Sequence, residues 1–341
     1  MSAFAHDSDV VVSSRVRLAR NFEDLPFSTE KSNAIANLCV DRTVTAMDAA
    51  NELDRYSLVK MGDLPLWDRL SLVESHLISK DLTSRHAIGA ALLRDDNAIS
   101  LMINEEDHLR LQSLMNGQQL TKAAEEALRL ESLLQSRIRF AYDSLLGYLT
   151  ACPTNAGTGL RASLMLHLPM LTLFKQMGNV TQSVSKLGLT IRGIYGEGSD
   201  ALGDLYQVSN QVTLGRNEKD IVEAVVAVGK QLIDMEHALR TRVANEANIT
   251  LQDRIFRSYG LLRFARQMDA NEFMEHWSKL RLGAALSMLP VALSTVDELL
   301  ATAQDAHAKL YRSAHTDSGL STDQARCEII RTKLNPTPQE V

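Results

Sequence analysis

Four short segments carry residue types that can do chemistry. The first is Ser13-Ser14-Arg15-Val16-Arg17-Leu18-Ala19-Arg20. On a strand Arg15 and Arg17 point the same way. Two guanidinium forks on one face are costly to bury but suited to a polyphosphate. A solvated strand edge is the plainer alternative. The second is Asn104-Glu105-Glu106-Asp107-His108-Leu109-Arg110, three acids in a row after an apolar run. Such acids can hold a metal, hold a cation, act as a base, or simply make an acidic turn.

The third segment, Cys152-Pro153-Thr154-Asn155-Ala156-Gly157-Thr158-Gly159-Leu160-Arg161-Ala162, is a polar, glycine-containing loop entering a β-like run. Its second half formally fits GxGxxA. A dinucleotide site, however, needs a helix next and an acid about twenty residues on, and neither follows. Cys152 reads equally well as a reactive thiol near cations or as a buried structural cysteine. In the fourth, Ile191-Arg192-Gly193-Ile194-Tyr195-Gly196-Glu197-Gly198, glycines flank Glu197. That suits a mobile loop carrying a carboxylate to a ligand, or a plain glycine turn. Neither a Walker A sequence nor the HRD and DFG set of protein kinases is present, so a phosphoryl-transfer chemistry would belong to neither common class.

The elements that must position these residues fall into two groups. Alternation and short apolar runs predict strands at 9–18, 87–93, 98–103, 108–114, 162–168, 187–194 and 205–214. Arg94-Asp95-Asp96-Asn97 reads as a hairpin turn. Helical periodicity marks 122–141 and 218–243. Neighbouring strands with short polar connectors argue for an antiparallel sheet within an α+β fold. Past about residue 245 only helices are predicted, at 253–267, 270–280, 295–311 and 322–334. Thr295 with Glu298 and Ser321 with Gln324 have capping-box spacing. The expected division is therefore an α+β domain at 1–244 and a small all-helical domain at 245–341.

The 341-residue length suits two domains. A net charge of −6 weighs against general nucleic-acid binding. Met1 to Val12 lacks the basic and apolar regions of a signal peptide, and no apolar run is long enough for a membrane span. Three scattered cysteines suit a reducing cytoplasm and make no zinc pattern. A cytoplasmic protein without its own metal site is expected.

Taken in order, SSRVRLAR, NEEDHLR, CPTNAGTGLRAS and RGIYGEGS resemble the phosphagen (guanidino) kinase superfamily over nearly the whole chain. The first motif lies so near the start that the helical N-terminal domain of the metabolic members is expected to be absent. RSYGLLRFAR and KLRLGAALSMLP resemble the C-terminal extension of its protein-arginine kinases. The resemblance implies a phosphagen-kinase-like catalytic domain that uses ATP with nucleotide-bound Mg²⁺. It implies phosphorylation of arginine side chains in proteins, marking them for Clp degradation. Alternatives are a small-molecule arginine kinase and a non-catalytic phosphoarginine or Clp adaptor. Implied partners are protein substrates, a McsA-like activator, ClpC–ClpP and a second copy of the chain.

Carried over residue by residue, the resemblance implies ATP contacts from Ser13, Ser14, Arg15, Val16, Arg17, His76 and Arg110. It adds Arg161, Ala162, Ser163, Leu164 and Met165, and Arg192, Gly193, Ile194, Tyr195, Gly196 and Glu197. Glu106 and Glu197 match the carboxylates that hold the substrate guanidinium, and Cys152 the active-site cysteine. An allosteric phosphoarginine motif, RDxxRA, keeps Asp323 and Arg326 but has Thr322 and Cys327 at its ends.

Overall fold

The computed structural model describes residues 7–27, 32–194, 201–245, 248–315 and 319–335. Its strands are β1 (Val11–Arg20), β2 (Tyr56–Lys60), β3 (Ala90–Arg94), β4 (Ile99–Ile103), β5 (Leu109–Asn116), β6 (Tyr142–Asp143), β7 (Gly147–Tyr148), β8 (Leu160–His167), β9 (Leu189–Gly193) and β10 (Leu205–Asn210). Helices of the first part are α1 (Asn33–Ala49), α2 (Leu66–Glu74), α3 (Lys80–Ser84), α4 (Leu120–Gln135), α5 (Pro169–Leu173), α6 (Met177–Ser185) and α7 (Glu218–Asn245). A helical bundle follows: α8 (Ile249–Phe264), α9 (Ala270–Ala285), α10 (Leu293–Thr302), α11 (Asp305–Ala314) and α12 (Thr322–Leu334). Among the described residues no helix is long and apolar enough to cross a membrane.

Eight strands form one sheet in the order β2-β3-β4-β5-β1-β8-β10-β9, antiparallel at every pair. Strand alternation gives it two chemically different faces. On one face Val16, Leu18, Leu111, Leu101, Leu164 and Val208 are all but fully buried, in a core shared with α1, α4 and α7. At about 25 cal/mol per Å² of apolar area removed from water, this face supplies the main drive for folding the sheet. The opposite face is polar at its centre. A second core lies in the bundle around Trp277, Phe273 and Leu299 and reaches Val12, Met165 and Leu205 of the sheet.

The expected strands are present, as is the Arg94–Asn97 turn, where Asn97 adopts φ 57°. The expected helix at 295–311 is instead two helices, broken at Ala303-Gln304. Long-range partners satisfy the broken ends: Arg326 Nε donates to the Ala303 carbonyl at 2.8 Å. Glu74 accepts the Ala306 and His307 amides at 2.7 and 3.0 Å. The Thr295 capping box is not formed, because α10 begins behind Ala292. The Ser321–Gln324 box is present. Helix α4 stops at Gln135, short of the expected 141.

Candidate active site

The sheet's central strand sets the geometry. Register places Arg15 of β1 opposite Leu114 and Ser163, Arg17 opposite Gln112 and Arg161, and Ala19 opposite Arg110. Beyond β8, Gln207 of β10 lies opposite Met165 on one side and Arg192 of β9 on the other. Arg15, Arg17, Arg110, Arg161 and Arg192 therefore share one face of the sheet, spread over four strands. Arg20, off this period, is buried in the opposite direction and pairs with Glu131 of α4 at 2.7 Å.

Few counter-charges balance this face. Burial, then Arg15, Arg110 and Arg161, lowers the proton affinity of Arg17, and its Nε finds no hydrogen-bond partner. Burial, then Arg192 and Arg110, lowers that of Arg161, whose Nε is also unpartnered. Neutral acceptors hold two of the forks: Arg15 Nη2 donates to Gln207 Oε1 at 2.6 Å, and Arg161 Nη2 to Ser209 Oγ at 3.2 Å. Concentrated and underneutralised positive charge of this kind binds a polyanion well.

The acidic segment is the tight β4–β5 connection. Asn104, at φ 61°, pins it by donating to the carbonyls of Ala36 and Ile88. The three acids then separate. Glu105 is fully buried, accepts from Ser79 Oγ at 2.6 Å and pairs with Arg110. Asp107 is buried and accepts from Asn21 Nδ2 at 2.6 Å and the Ala151 amide at 2.7 Å. Glu106 alone stays partly exposed, with Arg110 Nη2 at 3.5 Å and Asn155 Nδ2 at 3.4 Å. Burial, reinforced by Asp107 and Glu105, raises its pKa above the usual glutamate range.

Asn155 thus ties Glu106 to the cysteine loop. Cys152 is half-buried there, its Sγ 3.0 Å from Thr154 Oγ1. Gly157 in this loop has φ +106°, and a Cβ would stand 2.5 Å from the Thr213 carbonyl oxygen, so the position admits only glycine. His76 follows α2 at φ 58° and accepts from Gln112 Nε2 through its carbonyl at 2.7 Å. Burial, then Arg15, pushes its imidazole down to about 4.

Strand alternation divides the side chains of the expected contacts between the two faces. Ser14, Val16, Ala162 and Leu164 direct their side chains into the helix-backed core, since alternation leaves only their odd-numbered neighbours on the arginine face. Ser13, Ser163 and Met165 remain with Arg15 in a crevice that also holds His76. Gly193 ends β9, and the amide of the next residue, Ile194, is bonded to the Leu205 carbonyl at 3.0 Å. Tyr195, Gly196 and Glu197 lie outside the described residues. Asp323 and Arg326 are in the bundle, away from this face. The fully buried Arg326 is committed to Asp323, Asp305 and the carbonyls of Ala303 and Met268. Sequence reading missed Glu105 as the partner of Arg110, and Gln207 and Ser209 as holders of Arg15 and Arg161. The polar alternation of Gln207 and Ser209 within β10 was the available signal.

Residues 38–239 match the family model for the ATP:guanido phosphotransferase C-terminal catalytic domain. Fold and match together define the class, an ATP:guanido phosphotransferase. Residues 248–341 match the protein-arginine kinase McsB C-terminal domain. The chain is 42% identical over 332 residues to the protein-arginine kinase of Caldanaerobacter subterraneus subsp. tengcongensis, covering 97% of this chain and 98% of the relative. It is 43% identical over 337 residues to that of Geobacillus stearothermophilus, covering 98% and 93%. The chain belongs to the protein-arginine kinase family. Among solved structures, lombricine kinase shares the fold with a TM-score of 0.60 at 24% identity, over 69% of this chain and 68% of that one. The duplicated taurocyamine kinase of Schistosoma mansoni gives a TM-score of 0.60 at 28% identity, over 69% of this chain and 34% of that one.

Proposed function

We propose that this chain transfers the γ-phosphoryl group of ATP, bound as its magnesium complex, to arginine side chains of proteins. The observation that carries the reading is five guanidinium groups on one sheet face with Glu106 at its rim. The arginines would neutralise charge on the triphosphate and on the phosphoryl group in flight. The substrate guanidinium is protonated at neutral pH (side-chain pKa above roughly 12), so it must lose a proton to attack. Glu106, with its raised pKa, suits that base. Glu197 would grip the other side of the guanidinium, and Cys152 would add polar contact beside Glu106. Positioning of donor and acceptor would supply most of the acceleration.

The product would be a phosphoarginine tag read by a ClpC–ClpP protease in the cytoplasm, with a McsA-like activator and a homodimeric enzyme. The catalytic domain would end at 244 and the helical domain begin at 245. Arg326 is already saturated by the bundle, so phosphoarginine binding by Asp323 and Arg326 would require it to exchange partners.

The test is MgATP with casein, reading acid-labile phosphate and mass-spectrometric phosphoarginine. Glu106→Gln should lower kcat by about 10²–10⁴-fold. It should also remove an acid limb of kcat/KM lying above the ordinary glutamate range. Near-normal turnover in that variant removes Glu106 from the reaction. Turnover of free arginine alone would replace the reading with a small-molecule guanidino kinase. Phosphoarginine binding without any turnover would replace it with an adaptor.

A further inference from the structure

The arginine face does not end at Arg15. Ser13, His76, Leu114 and Met165 line a narrow crevice beside Arg15 and Gln207. The same four residues also line a cavity of about 520 Å³, so crevice and cavity share a wall. The far wall of the cavity belongs to the C-terminal bundle, where Leu293, Ser294, Asp297, Glu298, Leu300 and Ala301 of α10 face it. Their spacing is that of one helix face, so a whole side of α10 turns toward the sheet.

Two clamps hold α10 and the following helix, α11, against the first part of the chain. Arg281 of α9, fully buried, donates Nε to Asp297 Oδ1 at 2.7 Å. Its Nη1 and Nη2 donate to the carbonyls of Asp9 and Ser8 at 2.6 and 3.0 Å, the segment that runs into β1. On the other side Glu74, two residues before His76, accepts the Ala306 and His307 amides at the start of α11. His307 Nδ1 lies 2.7 Å from the same carboxylate, and Lys309 stands 3.7 Å over the Trp67 ring. The cavity is therefore bounded by elements fixed to one another on both sides.

Its size falls in the range of small-ligand sites, roughly 300–1,000 Å³. The lining has two characters: Leu114, Met165, Leu293 and Leu300 are apolar, and Ser13, Ser294 and Asp297 offer polar atoms. The triphosphate of ATP belongs on the arginine face, and its uncharged adenosine must extend away from it. We propose that α10 of the helical bundle is the outer wall of the nucleotide pocket, with the adenosine of ATP seated between it and the His76–Met165 side of the sheet. This rests on the kinase reading above and gives the bundle a direct part in holding ATP.

The test is calorimetric titration of the full chain, comparing wild type with Ser294→Trp and Ala301→Trp, with MgADP and with inorganic tripolyphosphate as ligands. Ser294 is exposed and Ala301 half-buried, so either variant decides the question if the other misfolds. Each tryptophan should weaken MgADP by at least roughly tenfold and leave tripolyphosphate unchanged. A folded tryptophan variant that binds MgADP like wild type overturns the inference and leaves the kinase reading intact. Wild-type chain that binds neither ligand removes both.

Discussion

Arg17 should be a residue that the enzyme keeps at the expense of its own stability. It is half-buried beside Arg15, Arg110 and Arg161, its Nε is buried and unpartnered, and among the described residues it forms no ion pair. Arg17→Met keeps most of the apolar stem, so little cavity results. It removes one unsatisfied buried group, which costs about 1–3 kcal/mol to leave unmade, together with the repulsion of three like charges, which the more weakly acting Glu105 offsets only in part. The nucleotide-free variant should therefore be more stable by about 1–3 kcal/mol, a rise in Tm of roughly 2–6 °C for a chain of this size. Turnover should fall by about 10²–10³, the usual cost of losing one donor to a charged transition state. MgADP at a hundredfold over Kd should raise wild type by about 2.7 kcal/mol and the variant by less, so nucleotide narrows or reverses the ranking. Thermal unfolding with and without MgADP, beside phosphorylation of casein, reads all three quantities. Arg192→Met is the control: Arg192 is exposed, and its loss should not stabilise. Nucleotide-free Arg17→Met unfolding below wild type would refute the claim that this face is under electrostatic strain.

Two further outcomes follow from the site and the bundle. The His76 imidazole is held near 4 against 6.5, so the folded state resists a proton that the unfolded chain takes up. Its contribution is present above pH 6.5 and is lost as pH falls toward 4, amounting to roughly 3 kcal/mol. In denaturant titrations His76→Gln should shed that slope relative to wild type, and an unchanged slope would show that His76 is not held neutral. Arg326→Met should destabilise the bundle by about 3 kcal/mol, because the carbonyls of Ala303 and Met268 lose their donor in a buried place. A shift within half a kcal/mol in urea unfolding would mean that water replaces those bonds.

The arginine face was legible because one physical rule, alternation along a strand, acts within a few residues. Arg15 and Arg17 announce a shared face on their own, and the structure brings Arg110, Arg161 and Arg192 to it through register. The same rule, applied strictly, separates Ser13, Ser163 and Met165 from Ser14, Ala162 and Leu164, which a contiguous reading of the motifs had joined. Glu105, Glu106 and Asp107 show the limit. Three adjacent acids carry no periodic signal, and their division into buried counter-ion, partly exposed carboxylate and loop anchor depends on partners far away in sequence: Ser79 for the first, Asn155 for the second, Asn21 and Ala151 for the third.

The break in the helix expected at 295–311 has the same origin and bears on function. Nothing local ends that helix at Thr302, since no glycine or proline stands there. The chain turns because Arg326 binds the Ala303 carbonyl and Asp305 while Glu74 caps the new N-terminus at Ala306 and His307. Local propensity would run one helix through the turn, and tertiary hydrogen bonds override it. The break leaves α10 facing the cavity next to Ser13 and leaves α11 gripping the turn that carries His76. A distortion of the Arg326 cluster would therefore reach both the wall and the floor of the proposed nucleotide pocket through bonds already made, without any motion of the sheet.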